Sequence, residues 1–369
     1  MAIAVLGAGL IGSAAARHLA LAGQDVTLIG PGEPADWGAH GGVFASHYDE
    51  GRITRRLDAM PFWARVSSAS IDRYAALEAH SGVSFHTSVG GLYATRDTRR
   101  VTETAERAGI KFSRLVPAQG LEFGYHIPST VRLLHEGGQA GYVSPRRLVE
   151  AQQRAALKLG AKRIKATVRE AKAGQVKTDA GSFEFDQVIW AAGGFGAPHL
   201  KLPLRVEART VALLEVSREE AARRANMPTL ILADGRVIDI YLLPPIRYPD
   251  GKWYFKIGGG PHDRRLRTEA EMTAWYQSGG DHRAADSLTA IFQTLVPDAV
   301  VMGARMAPCV TTYTPDELPA IGRLDEVTCV ATGGNGRGAK CSDELGRLGA
   351  RALLGDIDAS LGPERFNRS

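Results

Sequence analysis

The sequence predicts an α/β chain of two domains. Three observations carry this reading. The chain has 369 residues, and at roughly 150 residues per domain that allows two or three. A strand, a glycine-rich turn, a helix and a second strand follow one another at the N-terminus. Further helix and strand signals fill the rest, with 44% hydrophobic and 23% charged residues, a mixture that excludes a disordered chain. The 42 glycines against 18 prolines are a surplus that asks for a reason, such as turns of positive φ or close approach of backbone to a ligand. The net charge of +5 is a weak signal. The basic stretches Arg52–Arg56 and Arg264–Arg267 lack interleaved aromatics, which argues against nucleic acid. Three cysteines imply no disulfide framework and a reducing compartment. The uncharged run from Ala2 to Ala16 has no positive n-region, and Arg17 ends it short of the roughly 18 residues a span needs. The expectation is a cytoplasmic protein with no membrane association.

Taken in order, Ile3–Leu6 reads as a strand. Gly7-Ala-Gly9-Leu10-Ile11-Gly12 follows at once, then an alanine-rich helix from Ser13 to Ala22 closed by Gly23, then a strand over Asp25–Ile29. This is the context of a dinucleotide fingerprint: Gly7 makes the turn, Gly9 lets backbone approach a pyrophosphate, and Gly12 lets helix pack on strand. The pyrophosphate would sit on the helix N-terminus. The acid expected at the end of the second strand to hold a ribose is absent. Gly30 stands there, leaving either Glu33 or backbone groups for that task. A polar loop, Gly41 to Arg55, comes next, and an amphipathic helix carries Trp63, Val66, Tyr74 and Leu77. A second helix opens at Pro145 with Leu148, Ala151, Ala155 and Leu159 as its buried stripe and Gly160 as its stop. Short alternating strands fill Arg163 to Val188, and Val188–Ala192 is an apolar strand ending at Gly193-Gly194. Direct continuation as an NAD enzyme would bring further strand–helix units where the Gly41–Arg55 loop stands.

This order of motifs resembles the FAD-dependent D-amino-acid-oxidase-like superfamily, and within it monomeric sarcosine oxidase and the N-methyl-amino-acid oxidases. The resemblance is strongest over residues 3–30, 41–56, 141–150, 186–194 and 305–345. It implies a Rossmann-type FAD-binding domain (1–85, 140–203, 303–369) interleaved with a smaller substrate domain on a mixed or antiparallel sheet (86–139, 204–302). The FAD contacts it implies begin with Gly7, Gly9, Leu10, Ile11, Gly12, Gly30 and Glu33. Ala45, Ser46, His47, Arg52, Ile53, Val168, Ala192 and Gly193 follow. The C-terminal loop Gly333-Gly334-Asn335-Gly336-Arg-Gly338-Ala-Lys340 would turn backbone N–H groups toward the flavin.

Cys309, at the family spacing before Asp316-Glu317, is where the resemblance puts a covalent flavin thioether; a buried structural cysteine is the other reading. Lys256, inside an aromatic strand, matches a lysine that assists oxygen; a solvent-facing strand position is its other reading. Arg55 and Lys340 match two cations that grip the substrate carboxylate. Arg52 would stabilise the reduced flavin, Tyr241 would close the amine pocket, and Tyr48, placed with them at the substrate, replaces a histidine of the sarcosine oxidases. His262 is offset from the family's histidine and carries no role. Cys329 and Cys341 read as core. The ten histidines show no metal spacing. The implied enzyme is a monomeric amine or amino-acid oxidase: hydride moves to flavin N5, the imine hydrolyses, and O2 becomes H2O2. A dehydrogenase using a quinone or protein acceptor, and a flavin-binding protein without turnover, are the alternatives.

Overall fold

The computed structural model describes residues 1–233, 239–260 and 263–367. His262 lies outside the described residues. A six-stranded sheet has the order Ala320–Arg323, Thr328–Thr332, Gln187–Trp190, Ala2–Leu6, Asp25–Ile29, Lys162–Ile164. All its neighbours are parallel except Ala320–Arg323, which runs antiparallel to Thr328–Thr332. The first strand is a continuous buried apolar run, as a central parallel strand must be. Helix Leu10–Leu21 packs on this sheet beside Pro145–Lys158 and Gly338–Leu353. A Cβ on Gly346 would lie 2.5 Å from Ala15 N, so the last helix meets the first along small residues.

Helix Pro145–Lys158 follows the sequence reading: Ser144 Oγ accepts from Arg147 N, Pro145 takes the first turn, and Leu148, Ala151 and Ala155 are buried. The helix expected around Trp63–Leu77 is instead two, Pro61–Ile71 and Tyr74–Ser81. The break falls at Arg73, whose guanidinium turns to Asp343 (2.5 Å) and Glu344 (2.5 Å). Buried Asp343 also takes Arg17 at 2.5 Å and Gln152 at 2.8 Å, tying three helices together. Burial would raise its carboxyl, but His18, Arg17 and Arg73 outweigh burial and hold it far below the usual carboxylate range.

A mixed nine-stranded sheet forms the other large element. Its core strands are Arg205–Val216, Trp253–Gly259, Ile240–Arg247, Thr229–Ala233 and Gly91–Thr95. Only Thr229–Ala233 with Gly91–Thr95 is a parallel pair. Gly303–Tyr313, expected in the first domain, pairs with Arg205 through Glu215, with Cys309 opposite Arg209. A three-stranded meander covers 168–184, and a small sheet joins Arg52–Thr54, Gly141–Val143 and His86–Thr87. No helix among the described residues is long and apolar enough to cross a membrane.

Candidate functional site: a glycine-lined cleft and two buried cation clusters

A long cleft opens where strands Ala2–Leu6 and Gln187–Trp190 end. It is bounded by the glycine turn, the 43–48 loop, the 309–312 stretch and the 332–339 loop. Most of the expected cofactor residues line it: Gly7, Gly9, Leu10, Ile11, Gly30, Ala45, Ser46, His47, Arg52, Val168, Ala192, Gly193, Cys309, Gly333, Gly334, Gly336 and Gly338. The three glycines of the turn act differently. Gly7 has φ +112°, and a Cβ there would meet Ala191 O at 2.5 Å. A Cβ on Gly12 would sit 1.8 Å from Gly7 O, so this glycine serves packing of helix on turn. Gly9 has an ordinary backbone (φ −87°), and the nearest atom to a Cβ would be His47 Nδ1 at 3.8 Å. Nothing in the protein requires glycine at residue 9; only a group lying in the cleft would.

At the far end, a Cβ on Gly30 would lie 2.6 Å from Ala8 N, so the close turn leaves no room for the acid expected there. Glu33 does not reach into the cleft. It holds Arg146 through two contacts of 2.7 and 2.8 Å, and Arg146 also pairs with Glu50. Tyr48 lines the cleft; its hydroxyl donates to Gly32 O (3.1 Å) and its ring packs on Trp37 and His47. Its apolar ring is taken into an aromatic cluster that includes Phe44 and Tyr276. Asn335 braces the loop: its amide donates to Gly333 O (2.7 Å) and its carbonyl accepts from Thr314 N (3.0 Å). Ile53 lies on strand Arg52–Thr54 and packs with Leu243 and Ile246 outside the cleft.

The first cation cluster meets the cleft at Arg52. Its Nη2 lies 3.2 Å from Cys309 Sγ and donates to Ser46 O (3.3 Å), while Nη1 pairs with Asp49. Lys256 is fully buried, which removes the solvent-facing reading. Its Nζ donates to Asp49 and to Gly51 O (2.6 Å) and lies 5.7 Å from the Tyr241 ring centroid. Burial, then the charge of Arg52, pushes Lys256 well below the ordinary lysine range.

The second cluster surrounds Asp58, which is 3% exposed and so free of solvent screening. Lys340 Nζ lies 3.3 Å from Asp58 Oδ2, Arg337 Nε 3.2 Å and Arg55 Nη1 3.9 Å. Burial would raise Asp58, but Lys340, Arg55 and Arg337 together hold it at about 2. The buried carboxylate of Asp58 thus faces three cations, of which Arg337 also reaches the exposed Glu317 at 3.8 Å. Arg55 Nε and Nη1 are buried without a hydrogen-bond acceptor. Arg56 faces the other way, to Asp72 and Gln139 at 2.7 Å each. Arg55, Lys340, Lys256 and Tyr241 are set back from the cleft wall.

Sequence reading missed Asp49, Asp58, Phe44 and Thr332. Each carboxylate had a readable cue: Asp49 stands three residues before Arg52, and Asp58 three after Arg55. Phe44 and Thr332 had none, being single residues brought to the cleft by folding. Cys329 and Cys341 are core, as expected, with burial pushing their thiols up to about 11 and about 12. No group of three metal-binding side chains occurs among the described residues.

A parallel sheet with a glycine turn at the mouth of a ligand cleft, roofed by a large mixed sheet, defines a dinucleotide-cofactor oxidoreductase. The chain belongs to the DAO family of FAD-dependent oxidoreductases, whose model matches residues 2–352. Among solved structures it is similar to L-proline dehydrogenase from P. horikoshii (20% identity, TM-score 0.77, 99% of this chain and 97% of that one). Glycine oxidase from Geobacillus kaustophilus is also similar (18%, 0.68, 99% and 97%). So is Amadoriase I, a fructosyl amine:oxygen oxidoreductase from Aspergillus fumigatus (18%, 0.73, 98% and 88%). No curated protein sequence matches. FAD fits the residues present: the open face of Gly9, and the buried, unpartnered His47 Nδ1 and Thr332 Oγ1 on the same cleft. Burial, then Arg146 and Arg163, push His47 down to about 3, which leaves a neutral imidazole on the cleft wall.

Proposed function

We propose that the chain oxidises a carboxylate-bearing amine or amino acid and returns the electrons to O2. The observation that carries this reading is Arg55: two buried guanidinium nitrogens without an acceptor, in a cluster where one carboxylate meets three cations. A buried cation excess of this kind calls for an anionic guest, and guanidinium grips a carboxylate with two parallel bonds. The names of the similar structures, for proline, glycine and a fructosyl amine, agree with a nitrogen-bearing substrate.

Gly7, Gly9, Gly30, His47, Gly193 and the Gly333–Gly338 loop would hold FAD, which when bound accepts a hydride and passes the electrons on. Arg55 and Lys340 orient the substrate by its carboxylate. Tyr241 excludes water from the amine, which reacts as the free base. Arg52 and Lys256 supply positive charge where electrons accumulate. The cofactor sheet and the large mixed sheet, which takes in strand Gly303–Tyr313, act as two domains, and the enzyme works as a cytoplasmic monomer.

An anaerobic screen of N-methyl, cyclic and D-amino acids for bleaching of the flavin tests the substrate class; a protein bleached by none overturns it. Rapid mixing of the reduced enzyme with air then separates an oxidase from a dehydrogenase, which reoxidises sluggishly. Arg55→Met should raise KM for the substrate by about 10–100-fold, since hydrogen bonds to charged groups are worth about 1.5–3 kcal/mol. Steady-state assays with a substrate amide lacking the carboxylate should show no such penalty. Cys309, lining the cleft against Arg52, is the attachment point in this reading. Acid precipitation should leave the yellow colour in the pellet, and Cys309→Ala should release it to the supernatant.

A further inference from the structure

We propose that Asp49 is a positioning residue that keeps the buried Lys256 amine protonated beside Arg52. The proposal rests on the reading above, in which the Lys256 charge serves the oxidant. Asp49 Oδ2 meets both Lys256 Nζ and Arg52 Nη1. The carboxylate is held from its other side, where Oδ1 accepts from Tyr248 Oη (2.8 Å) and from Glu50 N (2.8 Å). Its own backbone is anchored as well: Asp49 N donates to His47 O (2.8 Å) and Asp49 O accepts from Arg146 N (3.3 Å).

Every element packed on Lys256 can be named. The loop gives Asp49, Gly51 O and Arg52; strand Ile240–Arg247 gives Tyr241 and the apolar Leu243; strand Arg205–Val216 gives Leu213; strand Gly303–Tyr313 gives Cys309. Asp49 is the only carboxylate that pairs with Lys256 among the described residues. Two cations therefore share one anion in a dry place. Without it, the cluster relieves its repulsion by the one route open to it: arginine keeps its proton in proteins, so lysine gives up its own. Burial and Arg52 already push Lys256 in that direction. Asp49 opposes both and fixes the pH window in which the ammonium exists.

The test is a pH titration of FAD-loaded protein carrying 13C at lysine Cε, with the Lys256 signal assigned by its loss in Lys256→Met. Asp49→Asn should move the Lys256 midpoint down by about 1–3 pH units, the range an opposite charge at contact contributes. Asp49→Glu should keep it near the wild-type value. An unchanged midpoint in Asp49→Asn overturns the proposal. Asp49→Gly, which removes the carboxylate with the least steric demand, gives the same reading where the asparagine variant does not fold. In the pH profile of reoxidation in air, the falling limb should shift the same way. Asp49→Asn should add nothing in a Lys256→Met background, and an equal further loss there marks a merely structural role. Wild-type reoxidation by Lys256→Met would instead sink the role given to Lys256, with the NMR midpoint still deciding the role of Asp49.

Discussion

Gly9→Ala is expected to give a folded protein that has lost its grip on FAD, whereas Gly12→Ala is expected to lose the fold of the turn as well. The residues differ by three positions and by what stands in front of them. A methyl group at residue 9 meets no protein atom closer than 3.8 Å, and φ is that of any residue. It projects into the cleft, so the cost falls on the cofactor. Overpacking costs about 1–3 kcal/mol, a weakening of FAD binding of up to about 100-fold. At residue 12 the methyl would lie 1.8 Å from Gly7 O, a backbone atom that cannot step aside. A loss of about 3 kcal/mol in stability should follow. Flavin-fluorescence titrations measure the first quantity and urea melts of the apoproteins the second. Equal destabilisation by both substitutions would mean that Gly9 serves the protein and not a ligand.

Lys256→Met should slow reoxidation in air by about 10²–10³-fold, the cost of removing one preorganised charge-stabilising group from a water-free site. Anaerobic reduction by substrate should change little, because the carboxylate anchors lie in the other cluster, around Asp58. Methionine fills nearly the same volume without the charge, so the strand and its neighbours Leu213 and Leu243 keep their packing. Stopped-flow measurement of both half-reactions decides. An equal loss in each would show Lys256 to be a packing or binding residue.

The parts of this site that could be read from the sequence are those whose physics is local. The glycine turn announces itself because strand, turn and helix are adjacent in the chain and each glycine has its own steric reason. Arg55 and Arg56 show the limit. One of two adjacent arginines must face away, but which one does is decided by Asp72 and Gln139, and Gln139 lies 83 positions from Arg56. Burial of Lys256 was equally out of reach, since alternation along a strand gives two faces without saying which is covered. The sequence groups Gly303–Tyr313 with its neighbours in the chain, while its partner Arg205–Val216 lies nearly a hundred residues earlier. Gly30 is the instructive departure. The missing acid looked like a defect in the motif, and in the structure it is the clearance that Ala8 demands.

The six-stranded sheet also bears on how the protein is made. Strand Ala2–Leu6 has Asp25–Ile29 on one side and Gln187–Trp190 on the other. The next strand outward, Thr328–Thr332, and the helix that covers it, Gly338–Leu353, are made later than all of these. At about 5–20 residues per second, the side of Ala2–Leu6 that takes Gln187–Trp190 stays open for many seconds of synthesis, a template for wrong pairing. The outer side of Gln187–Trp190 then waits in the same way for Thr328–Thr332, so a nascent chain stalled before residue 328 should depend on chaperones in a way the finished protein does not.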